Sequence, residues 1–214
     1  MITISAFKWV PDFARGQVRD LRPRWALEEA GLPYTTRLLA QGDQDQPEYR
    51  ALQPFGQVPI FEEDGLVLFE SGAIVLHIAA RSEALLPRDP GARARAMQWV
   101  FAALNSIEPF VMNVALIDLF YKDEEWAKLR RPGAVAFVGK QLAALSRSLG
   151  TKPYLDGDAF TAGDLVMATV LRILEETDIV RGDARLNDYV ERCTARPAFK
   201  RALAAQLDDF QLAA

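Results

Sequence analysis

Two short sequences with the residue types of a ligand site flank a hairpin in the stretch QPFGQVPIFEEDGLVLFESG, residues 53–72. Val58-Pro59 stands before the first strand, and this peptide can be cis because an X-Pro bond has only a modest trans preference. A cis bond would turn the N–H and C=O of Val58 outward, where they can pair with an extended peptide. The alternative is a proline that simply begins a strand. The first interpretation predicts a binding site for a peptide main chain.

Glu70-Ser71 stands at the other end of the hairpin, where a helix is predicted to begin. The N–H groups of a first helical turn lack partners and the helix dipole adds positive charge, so this end attracts a carboxylate. Taken alone, Ser71 is more often an N-cap residue and nothing else. Taken together, the two flanks predict one site for a peptide that carries a free carboxylate.

Alternating strands and helices in residues 1–80 must position these flanks. Short apolar runs rich in β-branched residues favour strands, and apolar residues at helical spacing favour helices. The predicted elements are a strand at 2–10, a helix from about 18 to 30, a strand at 34–39, the hairpin with its turn at Glu63-Asp64-Gly65, and a helix that begins at Ser71. This order predicts a mixed sheet with helices.

The remaining residues predict a second, all-helical domain. Residues 81–90, RSEALLPRDP, contain two prolines and mixed charges and are interpreted as a linker. Residues 91–214 carry helical periodicity, with breaks predicted at Pro132-Gly133, Gly150, Gly182 and Pro197. The predicted helices cover residues 91–121, 132–149, 162–177, 186–195 and 197–209. One of them begins with Thr161 and Asp164 in capping-box spacing, after Phe160 as a candidate hydrophobic staple.

Composition excludes several classes of protein. Twenty-five basic and 29 acidic residues give a net charge of −4 with the signs interspersed, which is not the pattern of a nucleic-acid or anionic-membrane protein. The first residues lack the features of a signal peptide, and we find no apolar run of membrane-spanning length, so we expect a cytoplasmic protein. One cysteine and one histidine exclude an internal disulfide and argue against a metal cluster or a Ser-His-Asp triad.

Five segments in order resemble the glutathione S-transferase family, and they extend over nearly the whole chain. They are LEEAGLPY at 27–34, PEY at 47–49, PFGQVP at 54–59, LFESGAI at 68–74 and FTAGD at 160–164. The resemblance implies an N-terminal thioredoxin-like α/β domain followed by a C-terminal α-helical bundle. It also implies a homodimer, with glutathione as co-substrate and no metal.

The family motifs also imply how glutathione is held. The Val58 main chain, beside Pro59, would pair with the cysteinyl residue. Ser71 would donate to the γ-glutamyl carboxylate, and Glu70 would pair with the neighbouring amino group. Polar groups for the glycyl end are expected from two glutamines, Gln57 and Gln44.

The residue that activates the glutathione thiol is not evident. Relatives place a Tyr, Ser or Cys just after the first strand, but ungapped counting puts Phe13, Gln17 and Arg19 in those three slots. Three explanations stay open. In the first, the thiolate is stabilised by Arg15, Gln17, Arg19 and the start of the first helix, since a nearby opposite charge shifts a pKa by about 1–3 units. In the second, Ser5 or Tyr121 lies within reach of the sulfur and acts on the thiol. In the third, activation is lost.

The resemblance implies a transferase in which glutathione thiolate attacks a small hydrophobic electrophile or reduces a peroxide. An isomerase or reductase that uses glutathione is a second possibility, and a non-catalytic glutathione-binding or regulatory protein is a third. An apolar pocket for the second substrate is expected from two loop aromatics and from the end of the first long helix. Its predicted residues are Trp9, Phe13, Met112, Leu116 and Tyr121.

Overall fold

The computed structural model describes residues 1–211. The chain forms two compact units. The first contains residues 1–87 together with the C-terminal segment from Ala195, and the second runs from Arg88 to Thr194.

The first unit is built on a four-stranded sheet. Its strands are β1 (Ile2–Phe7), β2 (Tyr34–Leu39), β3 (Phe61–Glu63) and β4 (Leu66–Leu68). Its helices are α1 (Leu21–Ala30), α2 (Pro47–Arg50), α3 (Ser71–Ala79) and, from the C-terminal segment, α10 (Pro197–Gln211). The second unit contains α4 (Pro90–Phe101), α5 (Glu108–Phe120), α6 (Glu125–Leu149), α7 (Ala162–Arg172), α8 (Asp178–Arg181) and α9 (Ala184–Thr194).

The sheet is mixed, as the sequence predicts, with the strand order β2-β1-β3-β4. β1 and β2 are parallel, in a register that pairs Phe7 with Leu39. β3 is antiparallel to both of its neighbours and pairs Phe61 with Ile4 of β1 and with Leu68 of β4. The thioredoxin-like arrangement expected for residues 1–80 is confirmed.

Strand alternation gives the sheet two different faces. Ile4 and Phe61 are fully buried and face α3, since the Phe61 ring packs edge-on against His77 at 5.2 Å between centroids. Ser5 points to the opposite face, where its hydroxyl contacts Tyr49 of α2. Apolar residues therefore cover the α3 face, and a polar group is buried on the α2 face.

The hairpin turn has the predicted geometry. Asp64 and Gly65 both have positive φ, at 49° and 84°. Such a pair matches the right-handed twist of the flanking strands and is typical of a two-residue type I′ turn. The Asp-Gly sequence is therefore sufficient to explain why β3 and β4 pair in this register.

The last helix differs from the predicted domain division. The sequence places all of residues 91–214 in one helical domain, but α10 packs on α1 of the first unit. Trp25 and Phe199 pack edge-to-face at 4.8 Å, and Arg196 forms a two-point ion pair with Glu29. The amphipathic pattern of α10 predicts its buried face but does not show which surface buries it.

Two features of the second unit differ from the sequence-based expectations: the helix break at Pro132-Gly133, and the absence of an apolar segment of membrane-spanning length. Pro132-Gly133 does not begin a helix, because α6 starts at Glu125 and continues through Pro132, with Ala127 and Ala134 buried on either side. A π-helical segment, Ala102–Ile107, joins α4 to α5 in a continuous helix over residues 90–120. By length and composition that helix could span a membrane, which the apolar pattern of the sequence does not predict. The core helix of a soluble protein passes the same test.

The capping box at the start of α7 is confirmed. The fully buried Asp164 carboxylate accepts hydrogen bonds from the Thr161 N–H, the Thr161 hydroxyl, the Leu155 N–H and the Tyr189 hydroxyl, at 2.8–3.0 Å. Burial raises the pKa of Asp164, and these hydrogen bonds oppose the shift. Asp164 therefore connects the preceding loop and α9 to the first turn of α7.

We expect Asp164→Ala to lower the free energy of unfolding by about 3–4 kcal/mol, because several buried donors lose their acceptor. Thr161→Ala should cost about 1 kcal/mol, a typical loss for an N-cap. Asp158→Ala, an exposed acid in the same loop, is the control and should change stability by less than about 0.5 kcal/mol. Urea unfolding measures all three, and equal losses for Asp164 and Thr161 would contradict the assignment.

Candidate functional site

Four loop segments leave the sheet from one edge, which we call the carboxyl edge. β1 and β2 are parallel and both end there, β4 also ends there, and β3 begins there because it is antiparallel to β1 and β4. The segments at this edge are residues 8–20, 40–46, 57–60 and 69–71. The topology thus brings both flanks of the hairpin together with the loop that follows β1.

Val58-Pro59 is a cis peptide, which is one of the two interpretations that the sequence leaves open. The Val58 side chain is buried in a cluster with Leu39, Tyr49 and Ile60. Within residues 1–211 the Val58 main chain makes no hydrogen bond. A buried side chain with an unused main-chain donor and acceptor can bind an extended peptide in the manner of an added strand.

A relay of buried hydroxyl groups fixes the segment before Val58. The Ser5 hydroxyl accepts the Ile60 N–H and lies 2.8 Å from the Tyr49 hydroxyl, which donates to the Gln57 carbonyl at 2.7 Å. Burial raises the pKa of Tyr49, so this hydroxyl remains a neutral donor. The relay ties β1, α2 and the chain leading into β3 together.

The backbone of Glu70 has an uncommon conformation, with φ 69° and ψ 110°. Positive φ is unfavourable for a residue with a side chain, and such strain recurs at functional sites. The Glu70 side chain is exposed at the carboxyl edge, directly before the first turn of α3. This position is compatible with the predicted pairing of Glu70 with an amino group.

Ser71 is not the N-cap that the sequence suggests. Glu70 occupies the N-cap position, and Ser71 is the first helical residue. Instead of capping its own helix, the Ser71 hydroxyl accepts a hydrogen bond from Nη1 of Arg22 at 3.1 Å. The position still places the Ser71 hydroxyl beside the first N–H groups of α3, as a carboxylate site requires.

The two predicted glutamines lie at the same edge. Gln57 is exposed, next to Val58. Gln44 bonds within its own loop, accepting from the Gly42 N–H at 3.0 Å and donating to Asp45 at 3.1 Å. Arg50 connects this loop to the hairpin segment, since it bonds both Asp45 and the Pro54 carbonyl. To hold a ligand as predicted, Gln44 would exchange its present contacts.

The start of α1 is less available to a thiolate than the sequence suggests. The N–H groups of Leu21 and Arg22 donate to the carbonyls of Val18 and Arg19, Pro23 has no N–H, and the Arg24 N–H donates to Asp20. The first-turn donors of this helix are therefore already used. Among the predicted activating groups, the side chains of the loop remain.

Those side chains differ in exposure. Arg15 is exposed and pairs with Asp12 at 3.3 Å. Gln17 and Arg19 are half-buried. Because solvent screens an exposed charge more than a half-buried one, Arg19 is better placed than Arg15 to act on a nearby sulfur.

The other candidate activators and the predicted pocket residues are distributed over both units. Ser5 is fully buried and occupied by the relay. Trp9 and Phe13 are about half exposed on the loop after β1. Met112 and Leu116 are four residues apart on α5, and Tyr121 follows that helix and packs on Trp126 at 5.1 Å between ring centroids. The role of each in a substrate pocket stays a prediction.

Sequence patterns do not predict two features of this site: the relay between Ser5 and Tyr49, and the contact of Arg22 with Ser71. Ser5 is predicted only as a group that could reach the sulfur. Ser5 lies in an apolar strand, and Arg22 lies in a segment, LRPRW, whose arginines would ordinarily be solvated. The one available signal was the hydroxyl or charge at a position that helical or strand spacing predicts to be buried. Their partners could not be read from spacing.

Family profiles match both units of the chain. Residues 13–80 match the profile described as "Glutathione S-transferase, N-terminal domain", and residues 108–197 match "Glutathione S-transferase, C-terminal domain".

Individual relatives extend this likeness. The chain is 34% identical to glutathione S-transferase F11 of Arabidopsis thaliana over 75% of its own length and 80% of that protein. It is 31% identical to maleylacetoacetate isomerase of Pseudomonas aeruginosa, over 88% of its own length and 92% of that protein. A theta class glutathione S-transferase of Xanthomonas axonopodis pv. citri, solved with glutathione bound, superposes with a TM-score of 0.80 at 30% identity, over 94% of this chain and 96% of that one.

We expect Glu70→Gly to raise the free energy of unfolding by about 1 kcal/mol, because glycine adopts positive φ without the strain that a side chain creates. Glu70→Gln is the matched control, since it removes the charge but keeps the strained backbone, and it should leave stability nearly unchanged. Denaturant unfolding compares the three proteins. A glycine variant less stable than the parent would show that Glu70 is not strained.

Proposed function

The chain belongs to the glutathione S-transferase family, and we propose that it transfers glutathione thiolate to small hydrophobic electrophiles. The observation that supports this most strongly is the Val58 main chain, which makes no hydrogen bond within residues 1–211 and lies at the same edge of the sheet as Glu70 and Ser71. A tripeptide laid along that edge would meet a strand-like partner at its middle and a carboxylate site at one end.

The proposed binding mode assigns a role to each flank. The Val58 N–H and C=O pair with the cysteinyl residue. The Ser71 hydroxyl and the first turn of α3 bind the γ-glutamyl carboxylate, and Glu70 binds the α-amino group. Gln57 and Gln44 are assigned to the glycyl end. The cysteinyl sulfur is then directed toward residues 8–20, which leave the sheet from the same edge.

The chemistry requires a thiolate. A free thiol has a pKa near about 8.5, so it is mostly protonated at neutral pH. We assign its stabilisation to the side chains of the loop, Arg19 foremost, with Arg15 and Gln17. The thiol proton is released to solvent, and the sulfur lone pair forms a bond to the electrophilic carbon as the leaving group departs with its electron pair.

Two alternatives have specific support. Likeness to a maleylacetoacetate isomerase favours a reaction in which glutathione adds to its substrate and is then released unchanged. Residues 8–20 contain no Ser, Thr, Tyr or Cys, which favours a glutathione-binding protein without transferase activity. Both alternatives share the binding site and differ in the state or the fate of the sulfur.

We predict that glutathione binds and that the bound thiol titrates below pH 7, which calorimetry and ultraviolet thiolate absorbance measure. Arg19→Gln should raise the pKa of the bound thiol by about 1 unit, because a half-buried positive charge is removed. Arg15→Gln is the matched control and should shift the pKa of the thiol less, since Arg15 is more exposed than Arg19 and solvent screens its charge.

The outcomes separate the alternatives. Absence of binding at millimolar glutathione contradicts every glutathione-based proposal. Binding with a thiol pKa at its free value favours the non-catalytic protein. A depressed pKa that neither arginine variant changes would assign activation to another group.

We also propose a homodimer formed through the outer side of the hairpin. β4 is an edge strand, and apolar side chains on and near it are exposed in the single chain. These are Phe55, Leu66, Val67 and Phe69, with the rings of Phe55 and Phe69 at 6.1 Å. Phe55 is the most exposed of them, at 61%. A second copy of the chain would remove this apolar surface from water.

We expect Phe55→Asp to convert a dimer to a monomer at micromolar concentration, because a charge would be buried in the interface. Sedimentation equilibrium measures the change. Leu129→Asp is the control, since Leu129 is still more exposed, at 76%, but lies on α6. A monomeric parent protein, or equal effects of the two substitutions, would contradict the proposed surface.

A further inference from the structure

Arg22 is a buried arginine, and burying a charged side chain is costly unless other groups compensate its charge. Its side chain is 2% exposed, and it belongs to the first turn of α1. It reaches across to α3 and donates to the Ser71 hydroxyl at 3.1 Å. The side chain thus brings a guanidinium charge to the same point at which the positive end of the α3 dipole already favours an anion.

The direction of this hydrogen bond determines how Ser71 can act. Within residues 1–211 the Ser71 hydroxyl makes one hydrogen bond, in which its oxygen is the acceptor. Its own hydrogen is therefore directed away from Arg22. A hydroxyl that accepts from a cation is also a stronger donor, because hydrogen bonds in a chain polarise one another.

We infer that Arg22 is a positioning residue for recognition of the α-carboxylate of the peptide ligand. It orients the Ser71 hydroxyl as a donor and contributes positive charge behind it. This inference rests on the proposed function and adds a residue to it. The chemical group recognised is a carboxylate next to an amine that Glu70 can bind.

A purely structural role is the competing explanation, since Arg22 is buried and its hydrogen bond to Ser71 links α1 to α3. The same helix offers a matched control two residues further on. Arg24 is equally buried, at 1% exposed, but pairs with Asp20 and Asp209 and lies in the contact with α10. Loss of either arginine removes a buried charge, and only Arg22 contacts Ser71.

The test uses two ligands: glutathione, and 4-aminobutyryl-cysteinylglycine, which is the same peptide without the α-carboxylate. Calorimetry on the full-length protein gives the ratio of their affinities. Arg22→Gln should reduce this ratio by about 10-fold or more, as expected for loss of a charge-assisted interaction, and should leave binding of the decarboxylated peptide unchanged. Arg24→Gln should lower the melting temperature and leave the ratio unchanged.

Two further variants make the result decisive. Arg22→Lys keeps the charge but loses the planar fork, so its ratio should fall between those of the parent and Arg22→Gln. It becomes the deciding variant if Arg22→Gln does not fold. In the double variant Arg22→Gln with Ser71→Ala, the loss should be smaller than the sum of the two single losses, because the oriented hydroxyl is lost in both single variants.

The inference is overturned if the Arg22 variants weaken binding of both ligands equally, or if they leave the ratio of affinities at the parent value. It is also overturned if the double variant shows the full sum of the two single losses. Failure of the parent protein to bind glutathione would instead contradict the proposed function. The parent protein thus tests the function, and the ratio of affinities tests Arg22.

Discussion

The hydroxyl of Ser5 is the constraint on which the carboxyl edge depends. It accepts the Ile60 N–H and shares a hydrogen bond with Tyr49, which in turn donates to the Gln57 carbonyl. The side chains of Ser5 and Tyr49 are buried, and a buried donor without an acceptor costs about 1–3 kcal/mol. The chain leading into β3 is therefore held on both sides of Val58, and the Val58 main chain keeps one orientation.

Buried arginines fix the other side of the site. Arg24 pairs with Asp20 at 2.8 Å and also with Asp209 of α10. Burial opposes the charge of Arg24, but the two carboxylates raise its pKa, so it stays ionised. Such a network is costly to break, and it holds α1 against α10. Because Arg22 lies on the same helix, the network that anchors α1 also fixes the guanidinium that reaches Ser71.

Recognition and chemistry are divided between different parts of the first unit. The groups proposed to hold the peptide lie on or next to regular elements, β3 and α3, whose positions depend on backbone pairing and core packing. The groups proposed to act on the sulfur lie in residues 8–20, a loop whose two arginines differ in exposure. One fold can therefore keep its peptide site and vary the reaction, which is why the fold alone does not specify the activity.

The sequence by itself determined the features that arise from short-range chemistry. Asp64-Gly65 specified the hairpin turn, and Val58-Pro59 specified the candidate cis peptide. Thr161 and Asp164 specified the start of α7. Each of these features depends on backbone preferences within a few residues. The order of strands and helices in residues 1–80 followed from periodicity for the same reason. These elements carry most of the predicted peptide site.

Only the tertiary structure decided which distant groups meet. It assigned α10 to the first unit, continued α6 through Pro132, gave Ser71 a partner in Arg22, and occupied the first-turn donors of α1. Periodicity shows that a face is buried but not what buries it. A hydrogen bond between residues 49 positions apart leaves no pattern in one sequence, so the groups behind the carboxylate site became visible only after the chain was folded.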